Sequence, residues 1–233
     1  MSNTANDALV TTTWWWVRHA PVREDGGKIY GQSDLGCDCS DTAVFKGLAR
    51  TLPKDAVWFS SNLKRTTLTA AAIWDAGFPK PAKMPAERDF AEQNLGDWQG
   101  RDRAAFYASR PVQLGSHWFG PADEQTPNGE SFLDLYARVG ERIRFINNTH
   151  AGRNIIAVAH GGVIKAAIAL ALNLGPQGGL SFAIENCSLT KLDYLTLNGN
   201  SGWRVGMVNQ QPWLAGDHPS MHQPAGPEVT KLA

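Results

Sequence analysis

Two apolar runs in this chain end in histidine. Residues 14–17 (WWWV) lead into Arg18-His19-Ala20-Pro21, and residues 155–159 (IIAVA) lead into His160-Gly161-Gly162. Unbroken apolar stretches of this length suit strands covered on both faces, as in parallel sheets. A third run, 56–60 (AVWFS), continues through Ser61-Asn62-Leu63-Lys64 to Arg65. If the three strands lie parallel, their carboxyl ends share one edge, where open α/β sheets bind ligands.

Helical patterns alternate with these runs. Asn62 offers an N-cap, and Leu63, Thr66, Thr67, Ala70, Ala71 and Trp74 share a face until Gly77 and Pro79 stop the helix. Asn128 offers another cap, ahead of the stripe Phe132, Leu135, Val139, Ile143 and Ile146. Gly161-Gly162 opens an apolar helix to about Leu174, and β-like runs follow at 188–194 and 203–208. The alternation predicts an α/β, three-layer sandwich with a mostly parallel central sheet flanked by helices. Residues 1–12 read as a flexible arm, 13–211 as the domain, 86–128 as a small cap with one helix at 101–109, and 212–233 as an irregular tail.

A chain of 233 residues can bury a sizeable core as one domain without disulfides. Lys+Arg equals Asp+Glu at 22 each, which argues against a nucleic-acid coat or a membrane-surface binder. Three cysteines make no disulfide framework, and with no signal segment and no long apolar run the expected compartment is the cytoplasm. Oligomeric state is left open, a homodimer included.

Two guanidinium groups (Arg18 and Arg65), two imidazoles (His19 and His160) and the N–H groups of helix starts such as Gly161 form a cradle suited to a phosphoryl group. The bland alternative is a pair of satisfied histidines and surface arginines. Agreement among three strand ends favours the phosphate site.

Five segments in order carry a family resemblance. Arg18-His19-Ala20-Pro21, Ser60-Ser61-Asn62-Leu63-Lys64-Arg65-Thr66, the Glu92–Gly100 segment (EQNLGDWQG), Asn128-Gly129-Glu130-Ser131 and Ala159-His160-Gly161-Gly162 resemble the histidine phosphatase superfamily, also called phosphoglycerate-mutase-like; Tyr30-Gly31-Gln32-Ser33-Asp34 resembles the loop after its nucleophile. The resemblance implies His19 as the nucleophile that becomes phosphohistidine, Arg18, Arg65 and His160 as holders of the phosphate oxygens, and Glu92 as acid and then base. It implies the phosphatase branch, a small phosphorylated substrate, and neither cofactor nor metal. The chemistry suits these residue types: nearby cations keep His19 neutral and nucleophilic, covalent catalysis divides one displacement into two, and fixed donors stabilise the spreading charge.

Several residues depart from that pattern or stay ambiguous. Val22 stands where a hydroxyl is usual and Asp25 near the place of an Asn, so Gln32 or Ser33 is the candidate for the missing phosphate contact. Glu92 is preferred to Glu87 because only Glu92 lies four residues before Gly96. The three consecutive tryptophans read as core, Trp98 as pocket or packing, His117 and Trp118 as cap-loop residues with a chance of touching substrate, and His150 as complementing a helix dipole. Cys37 and Cys39 are too tight and isolated for a zinc site. The alternatives to a phosphatase are a phosphoglycerate mutase, which needs a more basic cap, and a non-catalytic phosphate-binding domain, which would have lost one of the five groups.

Overall fold

A computed structural model describes residues 8–111 and 118–214. Twelve elements follow the chain: β1 (Val10–Arg18), α1 (Thr42–Thr51), β2 (Ala56–Ser61), α2 (Lys64–Asp75), β3 (Ala86–Glu87), α3 (Arg103–Ala108), α4 (Phe132–Thr149), β4 (Asn154–Ala159), α5 (Gly161–Leu172), α6 (Gly175–Gly179), β5 (Leu189–Leu197) and β6 (Asn200–Gln210). The sheet runs β3-β2-β4-β1-β5-β6. β3, β2, β4 and β1 pair in parallel, while β5 and β6 form an antiparallel hairpin beside β1. The three chemistry-bearing runs are therefore neighbours, with β4 between β1 and β2.

Alternation along β1 divides its side chains between two cores. Trp14 and Trp16 face the α4–α5 layer with Phe59, Leu135, Ile143, Ile155, Val163 and Ile168. Val17 faces the other layer with Phe45, Leu48, Trp58, Ile73, Ile156 and Val158. Trp14 and Trp16 stack at 4.8 Å between centroids, and Phe90 meets both edge-on. Register permits this crowding, because Trp16 lies opposite Ala157 on β4, whose small side chain leaves room. Trp14 Nε1 donates to Asn147 at 2.8 Å, so its burial leaves no orphan donor.

Local chemistry moves several boundaries from their sequence positions. β1 begins at Val10, inside the segment read as an arm, because Thr11–Thr13 have ladder partners on β5. Asn62 does not cap α2; the Ser61 hydroxyl accepts from the Leu63 N–H instead. Asn128 sits at φ +55° in the turn ahead of α4, and Ser131 forms a capping box with Asp134. The helix expected at 101–109 is shorter, starting after Asp102, whose carboxylate caps Ala105 N–H at 2.7 Å. α1 has no counterpart in the sequence reading, and Trp213, in the segment read as tail, packs on its Gly47.

The segment between β3 and α4 carries its own small core of Leu95, Trp98, Phe106 and Phe119, joined by Ile29. It lies at the carboxyl end of the parallel strands, where it walls the cavity described below. Among the described residues, no helix is long and apolar enough to cross a membrane.

Candidate active site

His19 follows the last residue of β1, and its backbone is clamped from several sides. Its N–H donates to Ala159 O at 3.0 Å, its carbonyl accepts from Asn186 Nδ2 at 2.8 Å, and the next N–H, of Ala20, donates to Thr69 Oγ1 at 2.8 Å. The ring is 1% exposed. Nδ1 lies 2.7 Å from the Ala20 carbonyl. A carbonyl only accepts, so the proton is on Nδ1 and the Nε2 lone pair is bare. Burial, then Arg18 and Arg65, hold this imidazole well below its usual range, against the Ala20 bond, so it stays neutral.

His160 follows the last residue of β4, and its ring lies 5.1 Å from that of His19. Arg65 Nε donates to its Nδ1 at 3.2 Å, which puts the His160 proton on Nε2, where it donates to Ser61 Oγ at 2.7 Å. Burial and then Arg65 keep His160 uncharged as well. Both of its nitrogens thus have protein partners, and its reach toward phosphate runs through Arg65.

Arg65, on the first turn of α2, is fully buried. Its Nη1 donates to Ser33 O at 2.9 Å and its Nη2 to Gly31 O at 2.7 Å. Each terminal nitrogen carries a second N–H. Arg18 is tied through Nη1 to the Ile184 carbonyl, while its buried Nε has no partner among the described residues.

Glu92 occupies the opposite wall. Oε1 accepts from Gln93 N–H at 3.0 Å and Oε2 from Gly162 N–H, at the start of α5, at 3.3 Å. Its loop is braced by Arg138, which grips the Glu130 carboxylate at 3.0 and 2.6 Å and donates to the Glu92 and Asp89 carbonyls. Gly162 is a close-approach residue, since a Cβ there would stand 2.4 Å from Glu92 Oε1. Gly96, at φ +45°, brings the same loop against Pro127 O, where a Cβ would sit at 2.0 Å.

Arg18, Glu92 and Gly161 line a cavity of about 320 Å³, with Tyr30, Arg103, Trp118, Phe119, Ile184 and Lys165 among its other walls. His19, Arg65 and His160 are not among the residues that line it; they cluster with one another and beside Arg18 and Glu92. The structure thus brings together the five groups named from the sequence, and places the other two candidates otherwise. The Gln32 amide donates to the Glu92 carbonyl at 2.8 Å, and Ser33 acts through its carbonyl on Arg65. Both support the groups around the cavity instead of lining it.

Glu87 pairs with Arg142 at 2.6 Å. Trp98 packs on Phe106 and is not among the lining residues, whereas Trp118 is. His117 lies outside the described residues, and His150 meets Phe59 edge-on at the end of α4. Sequence reasoning missed Ser61, Thr69, Asn186, Arg138 and Lys165. Of these only Lys165 carries a visible signal, as the lone charge in an otherwise apolar helix, four residues after Gly161.

The model of the histidine phosphatase superfamily (branch 1) matches residues 14–210. The metal-independent phosphoserine phosphatase of Arabidopsis thaliana is 32% identical over 158 residues, 64% of each chain. The glucosyl-3-phosphoglycerate phosphatase of Mycolicibacterium vanbaalenii is 29% identical over 230 residues, covering 86% of this chain and 96% of that one. The solved structure of a mycobacterial glucosyl-3-phosphoglycerate phosphatase superposes with a TM-score of 0.71 at 23% identity, over 85% of this chain and 99% of the other. The matches span about three-fifths of the length of several curated relatives.

Proposed function

The chain belongs to the histidine phosphatase superfamily, branch 1, and from that premise we propose that it is a metal-independent phosphomonoester hydrolase working through a phosphohistidine on a small phosphorylated metabolite. The observation that carries this reading is the 2.7 Å bond from His19 Nδ1–H to the Ala20 carbonyl, which leaves a bare Nε2 on an imidazole flanked by Arg18 and Arg65, and Arg18 with Glu92 walls the cavity.

In the first step, the Nε2 lone pair attacks phosphorus and the P–O bond to the alcohol breaks. The Glu92 carboxyl gives its proton to the departing oxygen. Arg18 and the outer N–H groups of Arg65 stabilise the charge spread over the three equatorial oxygens. His160, neutral and bonded to Arg65, keeps that guanidinium aligned. In the second step water attacks the phosphohistidine, Glu92 takes the water's proton, and the P–N bond breaks to release inorganic phosphate. Acid–base assistance of this kind is worth about 10²–10⁴ in rate. A cavity of about 320 Å³ suits a small substrate, near the lower end of ligand pockets.

The test is phosphate release from a panel of small phosphomonoesters, with alkaline-quench detection of a base-stable phosphoenzyme that is lost on acid treatment. His19→Ala should lose both turnover and phosphoenzyme, and a chelator should change neither. Substantial turnover by the alanine variant refutes the reading.

A further inference from the structure

We propose that Cys37 and Cys39 form a redox modification site: a hydroperoxide oxidises Cys37, Cys39 closes a reversible disulfide onto it, and the closed pair loosens the backbone that aims His19. The bridge itself is independent of the phosphatase reading, and only its effect on turnover rests on that reading. Cys37-Asp38-Cys39 lies in the loop between β1 and α1. The two sulfurs are 3.6 Å apart, and both residues are partly exposed, whereas Cys187 is buried. Cys37 Sγ also faces the Arg65 carbonyl at 3.3 Å and the Thr69 hydroxyl at 3.7 Å. The Cys39 thiol, against burial and with help from Thr69 and Arg65, holds Cys37 down to about 7. Thiolate character, access to solvent and an adjacent resolving thiol are the combination that marks redox-sensing cysteines.

The chemistry balances in two steps. The Cys37 thiolate attacks one oxygen of hydrogen peroxide, the O–O bond breaks and hydroxide leaves; the sulfur, now a sulfenic acid, has lost two electrons to the peroxide. Cys39 sulfur then attacks Cys37 sulfur, the S–O bond breaks, and the hydroxyl leaves with the Cys39 proton as water. A ring closed across one intervening residue is tight, and strained or exposed disulfides are the easily reduced, regulatory ones.

Closure reaches the nucleophile by three contacts. The sulfurs draw in from 3.6 Å to about 2.05 Å, and Cys37 loses the S–H that donates to the Arg65 carbonyl. Asp38, held between them, donates its N–H to the Pro21 carbonyl at 2.7 Å, so contraction pulls on the segment after His19. Thr69 Oγ1, beside Cys37 Sγ, accepts the Ala20 N–H at 2.8 Å, and the Ala20 carbonyl in turn takes the His19 Nδ1 proton.

The test treats the unmodified protein with hydrogen peroxide. Intact mass should fall by two hydrogens, and tryptic mapping should place the bridge inside the peptide 29–46, which holds both thiols and not Cys187. Amide exchange in peptides covering His19 and Ala20 should quicken on closure, which reads the coupling with no substrate present. Phosphoester turnover should drop by about 10-fold or more, the scale of a misaimed reacting group, and dithiothreitol should restore it. Cys39→Ser should keep full activity when reduced, form no bridge, and leave a Cys37 sulfenic acid that dimedone captures. A bridge to Cys187, stable oxygen adducts in place of the bridge, or unchanged exchange at His19 and Ala20 in the closed protein overturns the proposal. If no phosphoester is turned over by reduced protein, the phosphatase reading fails alone, and mass and exchange still decide this one.

Discussion

The Nε–H of Arg65 donates to Nδ1 of His160 at 3.2 Å, and this bond links the second strand-end histidine to a buried guanidinium. Arg65 also holds the Ser33 and Gly31 carbonyls, so one planar fork joins α2, the junction of β4 with α5 and the loop after β1. A lysine cannot span three such acceptors, because its donors radiate from a single nitrogen. Arg65→Lys should therefore lower kcat/KM by about 10²-fold or more while also destabilising the fold by about 2–4 kcal/mol, the range for leaving buried polar groups unpaired. Steady-state kinetics and urea melts on the purified variant check the two effects separately.

A pH dependence of stability follows from the two buried imidazoles. Burial, reinforced by Arg18 and Arg65 at His19 and by Arg65 at His160, depresses both below 6.5 in the folded state. Below pH 6.5 the unfolded chain binds protons at these positions that the folded chain does not, so stability falls as pH falls and is at its plateau above 6.5. Each should cost about 1 kcal/mol between pH 6.5 and 5.5, about 2 kcal/mol together. Urea denaturation at the two pH values measures it, and His160→Asn should remove about half of the difference.

The thiols should separate by reactivity. Cys37 is held down to about 7 by the Cys39 thiol 3.6 Å away, while Cys39 is pushed up by the same contact and Cys187 is pushed up to about 12 by burial. Thiolates are the nucleophiles and Cys187 alone of the three is buried from the reagent, so limiting iodoacetamide at pH 7.5 should modify Cys37 first and Cys187 last. Peptide mapping by mass spectrometry reads the order directly, and early labelling of Cys187 would contradict it.

How much of this was legible in the sequence depended on whether a signal was local. The three apolar runs and the residues at their ends, His19, Arg65 and His160, were readable because continuous hydrophobicity fixes a parallel strand and parallel strands fix a shared edge. The hairpin of β5 and β6 was visible only as β-like runs, since strand direction is decided by partners far along the chain. Asn62 and Asn128 misled as caps because Ser61 and Ser131, close by, offered hydroxyls with better geometry. Gln32 and Ser33 could not be oriented from sequence at all, because their partners, Glu92 and Arg65, come from elements distant along the chain. Lys165 showed only as the lone charge in an apolar helix, where periodicity reports burial and says nothing about which wall faces a cavity.

Glycine 162 gives the sharpest separation of fold from chemistry. Alanine is intrinsically better than glycine in a helix by about 1 kcal/mol, so Gly162→Ala at the start of α5 gains helix propensity. The added Cβ, however, would stand 2.4 Å from Glu92 Oε1 and 2.9 Å from the Trp118 ring. The Glu92 carboxylate has to move, and with it goes the 3.3 Å bond from the Gly162 N–H that aims it. A proton donor displaced by about 1 Å loses about 10²-fold in rate. The variant should melt within a few degrees of the unmodified protein while kcat falls by that factor. The loss should shrink for aryl phosphates, whose leaving oxygen needs little help from an acid. Equal losses for alkyl and aryl esters would show that the substitution disturbs the phosphate cradle and not Glu92.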